Sequence, residues 1–204
     1  MATAAEEPVA AIGFAAGNPQ ILGLPIFVVG SLALAFSLVG YVPSTAAGIV
    51  VPVIFAATGV GLVISTVWAA ALGQTMVAAV FGLFAGFWLS FAILLLGLFH
   101  NWFSIPAGAD TKSIALFLIS WSIVMFALTL ATVRLPVSYT AVIALVVLAL
   151  VLRTIGVLNA DTSLNKAAGY AAFAFAALGI YLFLHIADTA MGGRGYPLGS
   201  PIVK

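Results

Sequence analysis

The run AVIALVVLALVL, residues 141–152, sets twelve apolar side chains in succession. A membrane β-strand would alternate polar and apolar positions, so this run is not one. A helix that is apolar on every face belongs in a bilayer or in the centre of a large protein. Glycine, proline and polar residues punctuate the chain into six spans of this kind, near residues 21–40, 47–70, 75–99, 113–133, 137–157 and 167–188. Each has the roughly 20 residues needed to cross ~30 Å of hydrocarbon at about 1.5 Å per residue. Hydrophobic residues fill 65% of 204 positions and charged residues only 5%. A water-soluble domain carries about a quarter charged residues, so the chain reads as an all-α membrane protein, a compact bundle of six transmembrane helices.

The connections YVPSTA, ALGQ, VRLP and LNADTSLNK are short, and only HNWFSIPAGADTK is longer. None can hold a separate catalytic domain. The expected organisation is a short disordered tail over 1–16, a six-helix domain over 17–190 and a C-terminal tail over 191–204. The amino end, MATAAEEPVA, is acidic and lacks the cationic start of a secretory signal, so it is expected to be retained. Six spans put both termini on one side, with Arg134, Arg194 and Lys204; Lys112, Arg153 and Lys166 fall on the other. That tie leaves the orientation unset by charge. Trp68, Trp102, Tyr41 and Tyr139 stand near span ends, where interfacial anchors belong. A net charge of +1 gives no reason to expect nucleic acid, and the absence of cysteine excludes disulfides and thiolate chemistry.

The stretch GNPQILGLP, residues 17–25, puts helix punctuation at the mouth of the first span. Asn18 suits an N-cap, and Pro19 suits the first helical position, where an amide hydrogen would lack a partner. Pro25 lies inside the helix and cannot donate to the carbonyl of Ile21, which predicts a kink. Exposed amides and an asparagine at a helix start also suit an anionic or hydrogen-bonding solute. In the third span, Ala78, Gly82, Gly86 and Ser90 form a small-residue face, with Phe81, Phe84, Trp88 and Phe91 roughly opposite. The small face allows close helix approach within or between subunits. Trp88 and Trp121 sit near mid-helix, where a buried indole N–H needs an acceptor. Arg153, one turn before the fifth span ends, either snorkels to headgroups or serves as a cation at a solute vestibule. His100 and His185 are far apart in sequence and make no metal site, and no nucleophile–base motif or phosphate loop is present, so neither enzyme, metal nor cofactor is expected. Without a buried ladder of cations, a bare carboxylate would lose several kcal/mol on desolvation. The chain should therefore pass a small neutral solute or a weak acid travelling with a proton.

These residues carry a resemblance. Asn18-Pro19-Gln20-Ile21-Leu22-Gly23-Leu24 is similar to the Asn-Pro-Ala-Pro-Leu-Gly-Leu signature of the acetate uptake transporter family. Gly40-Tyr41, Gln74-Thr75, Phe81, Phe87-Trp88, Trp121, Thr132, Ala168-Gly169, Ile180-Tyr181-Leu182 and Leu198-Gly199 extend the match along the chain. The resemblance implies a homohexamer in a bacterial cytoplasmic membrane, termini cytoplasmic, with a path through each subunit. It implies transport of acetate or a related monocarboxylate such as succinate, with protons. The path would be bordered by Asn18, Pro19, Leu22, Gly23, Leu24, Phe27, Gln74 and Thr75, and would narrow at Phe27, Phe84 and Val146. The sequence departs from the family at Phe84, where a tyrosine is usual, and at Ala35 and Leu38, where asparagines are. The family's acidic residue before Asn-Thr is missing from WAAALGQT.

Two other readings stand beside monocarboxylate transport. One is a passive channel for small neutral solutes, such as short amides or undissociated acids, which the lost polar residues favour. The other is a non-transporting structural membrane protein built on the small-residue packing faces.

Overall fold

The computed structural model describes residues 16–106 and 108–204. The tail assigned to residues 1–16 lies, apart from Ala16, outside the described residues. Among the described residues, six helices are long and apolar enough to cross a membrane: α1 (Gln20–Val39), α2 (Thr45–Ala71), α3 (Thr75–Phe99), α4 (Asp110–Ala131), α5 (Val137–Leu158) and α6 (Thr162–Ala190). The chain is an all-α membrane protein, as its apolar runs require.

Helix ends follow local chemistry. The Asn18 side-chain oxygen accepts from the Gln20 amide at 3.0 Å, satisfying one of the donors a helix start leaves free. Helix α1 then runs unbroken through Pro25 to Gly40, whose φ of 87° closes it in the left-handed region that glycine adopts without strain. Helix α6 starts five residues before the sequence suggests. Asp161 caps it by accepting from Ser163 and Leu164 amides at 2.7 and 3.2 Å, so polar residues that read as loop form its first turn.

Helix α2 is irregular in a way its composition hides. A 3₁₀ turn, Ser44–Ile49, leads into it; the helix passes through Val50–Pro52, widens to a π-helix over Val53–Val60 and returns to α over Gly61–Ala71. Pro52 cannot donate to the carbonyl one turn earlier, and the hydrogen-bond register changes around it. The π stretch presses Thr58 onto α1, where its hydroxyl donates to the Ile26 carbonyl at 3.2 Å. Gly30 makes that approach possible, since a Cβ there would collide with Thr58.

The closest helix pairs are α1 with α6, α6 with α5, α5 with α4 and α2 with α3. Helices α3 and α4 stand further apart, and aromatic rings fill the gap: Phe87 meets Phe117 at 5.8 Å and Trp121 at 5.6 Å. Residues beyond α6 turn back across the bundle. Gly195 donates to Asp188 at 2.8 Å, Tyr181 to the Pro197 carbonyl at 2.6 Å and Ser138 to the Leu198 carbonyl at 2.6 Å. The amides of Ile202 and Val203 then donate to Val133. This strap ties the C-terminal residues to α6, to the start of α5 and to the α4–α5 turn.

Candidate functional site

Helix α3 turns its aromatic stripe inward because its small face is used for packing. A Cβ on Gly82 would lie 3.2 Å from Thr66 of α2, and one on Gly86 would lie 3.3 Å from Trp121 of α4. Phe81, Phe84, Phe87 and Trp88 are accordingly buried. Gly23 of α1 leaves the room that the Phe81 ring occupies.

At the centre, Phe27 of α1 meets Phe84 edge to face, with ring centroids 4.8 Å apart and planes inclined by 60°. That is the geometry in which aromatic quadrupoles attract. Phe175 of α6 lies 5.7 Å from Phe27. These rings form a waist between two chambers, for Phe27 and Phe84 line both.

The first chamber, about 150 Å³, extends from the waist away from the chain termini. Its lining includes Val146, Ala149 and Arg153 of α5, with Ser37 and Leu38 of α1 and Phe87 and Phe91 of α3. Among the described residues, Arg153 is the single charged one lining these three cavities. It stands seven residues beyond Val146, about 10 Å along the helix. Toward the termini, a smaller cavity of about 50 Å³ is lined by Leu24, Leu135 and Val142, among other apolar side chains. Tyr139 lines it too and continues into a third cavity of about 180 Å³, which Gln20 and Met76 border. There the Tyr139 hydroxyl donates to the Gln20 side chain at 2.8 Å.

Of the residues expected along a path, Leu24, Phe27, Phe84, Val146 and Arg153 line these cavities. Asn18, Pro19, Leu22, Gly23, Gln74 and Thr75 are not in the linings. Asn18 caps α1, Pro19 is buried, and Gln74 and Thr75 form the start of α3 beside Met76. The sequence reading missed Phe175, Gln20 and the inward role of Tyr139, which it placed among interfacial anchors. Proximity to a span end is the same signal for both roles, and the partner Gln20 lies 119 positions away. The indole N–H of Trp88, whose side chain is 1% exposed, has no hydrogen-bond partner among the described residues. Among the described residues, no group of three or more His, Cys, Asp or Glu gathers to hold a metal ion.

Comparison with known proteins bears on this arrangement. The fold matches the structure of the bacterial acetate channel SatP with a TM-score of 0.80 and 20% identity, covering 90% of this chain and 99% of that one. Acetate permease A of Emericella nidulans is 28% identical over 150 residues, 71% of this chain and 50% of the relative. The meiotically up-regulated gene 86 protein of Schizosaccharomyces pombe is 34% identical over 125 residues, 58% of this chain and 39% of the relative. The chain thus spans half or less of the length of these two fungal relatives. The model of the GPR1/FUN34/yaaH family matches residues 5–192, nearly the whole chain, helices and waist included. The chain belongs to the GPR1/FUN34/yaaH family.

Proposed function

We propose that this protein carries a small monocarboxylate such as acetate across a membrane, together with a proton, along the axis through the waist. The observation that carries the reading is the sharing of Phe27 and Phe84 between two chambers on opposite sides of them. A structural protein has no need of cavities aligned end to end through its core. Similarity to the acetate permease and to the acetate channel supports the choice of solute.

The proton follows from magnitudes. The waist offers the rings of Phe27, Phe84 and Phe175, and the cavity below it is walled almost wholly by apolar side chains. A bare carboxylate there would lose several kcal/mol of hydration, up to the order of 20 kcal/mol in the idealised dry limit. A carboxyl group titrating near 4.3 is protonated at pH 7 for about 3.7 kcal/mol. The undissociated acid is the cheaper species, and Arg153 gathers the anion in the first chamber before it is protonated.

The working unit in this reading is a homohexamer in a bacterial cytoplasmic membrane with cytoplasmic termini, each subunit holding its own path. Helix α4 exposes Leu116 and Ile123, 68% and 65% accessible, on a face that a neighbouring subunit would cover in that assembly. Uptake of labelled acetate into proteoliposomes, with and without an imposed pH gradient, tests the function. Faster uptake than protein-free liposomes, increased by external acid, is expected; equal rates in the two preparations would remove the claim.

A further inference from the structure

The chamber between the waist and Arg153 differs from what acetate alone would require. Its volume, about 150 Å³, equals that of the apolar engineered cavity that takes up a benzene molecule, six carbon atoms in all. Acetate has one methyl group to offer it. The walls are Leu34, Leu38, Phe87, Phe91, Leu118 and Leu150, with Ser37 and Arg153 supplying the polar groups and no carboxylate among the lining residues. Leu38 stands in that wall as hydrocarbon, and Phe84 closes its base without a hydroxyl.

We propose that this chamber is a binding site for straight-chain monocarboxylates longer than acetate, about four to six carbon atoms, with the carboxylate on Arg153 and the alkyl chain laid toward the waist. The assignment rests on the transport reading above and narrows its solute. Two separable contributions follow. Arg153 supplies an attraction that every carboxylate shares, whatever its length. The walls supply an increment per methylene, because each CH₂ leaves water for hydrocarbon; that increment corresponds to about fourfold in affinity. It ends when the chamber is full.

The test is equilibrium binding of acetate, propionate, butyrate, hexanoate and octanoate to the full chain in lipid nanodiscs, with protein-free nanodiscs subtracted. Affinity is expected to rise about fourfold per methylene and to stop rising by octanoate. Arg153→Gln should weaken all members by one common factor, about tenfold or more for a lost charge-assisted bond, and keep the slope. Ala149→Phe, which puts a ring into the chamber, should cut the series short so that acetate loses least. Leu38→Asn, close in size and polar, should reduce the slope if the larger substitution fails to fold. A flat series, or one that climbs through octanoate without limit, would overturn the assignment. If acetate enters proteoliposomes while the series is flat, transport stands and the chamber assignment falls. A sloped series without flux would uphold the chamber and remove transport.

Discussion

Replacing Phe84 by alanine attacks the waist itself. The ring is buried, packs edge-on against Phe27, and belongs to the walls of the chambers of about 150 and 50 Å³. Its removal fuses them. A Phe→Ala change in a packed core costs about 3–5 kcal/mol, so folding must be checked by monodispersity and helical circular dichroism. Phe84→Leu is the gentler variant if yield fails. The functional effect follows from water. On the proposed mechanism only undissociated acid crosses the intact protein, and between pH 5 and pH 7 the undissociated fraction of a carboxyl titrating near 4.3 falls roughly 80-fold. Initial uptake of labelled acetate at fixed total concentration should fall by about the same factor. With Phe84 truncated, water reaches the waist and hydrates the anion, which is then the abundant species. The fall over that pH range should shrink below about tenfold, with higher absolute flux at pH 7. A folded Phe84→Ala protein with the wild-type rate and the wild-type pH dependence would refute the assignment of the waist.

Three further outcomes concern the scaffold. Gly23→Leu should lower the thermal unfolding temperature by the equivalent of about 1–3 kcal/mol, because a side chain there would collide with the Phe81 ring; Gly40→Ala, with open space around it, should cost less despite its positive φ. Thr58→Val removes the bond to the Ile26 carbonyl and should cost about 0.6 kcal/mol by steric-trap or denaturant unfolding, the usual scale for interhelical bonds in membranes. Asn18→Ala should cost about 1 kcal/mol and speed hydrogen exchange at the amide of Gln20 and its neighbours, leaving the middle of α1 protected.

Much of this architecture was legible in order along the chain. Helix α3 begins and ends where its polar flanks, Gln74 and His100, say it should. The cap at Asn18 needs only one residue and its neighbours, so it too could be read locally. The start of α6 could not, because Asp161 looks like a loop residue until its carboxylate is seen to hold two amides. Nor could the π-helix of α2, since Pro52 signals disturbance but not which register the backbone adopts afterwards. The strap beyond α6 is rich in glycine and proline and reads as a tail; its bonds go to residues on three other parts of the chain. The candidate site divides the same way. The apolar character of Phe27, Phe84 and Val146 was apparent, whereas the chambers on either side exist only once six helices leave space between unequal side chains.

The proposal that a neutral acid crosses between Phe27 and Phe84 is tested most directly by recording acetate and proton entry together. Labelled acetate and an internal pH indicator would be followed in the same proteoliposomes while the membrane potential is clamped, protein-free liposomes serving as the blank. A single charge moved across 100 mV is biased by about 2.3 kcal/mol, roughly 50-fold, so a bare anion could not hide its charge. The expected result is one proton delivered per acetate, at a rate indifferent to the potential. Acetate entry that follows the potential and leaves the internal pH unchanged would contradict the account.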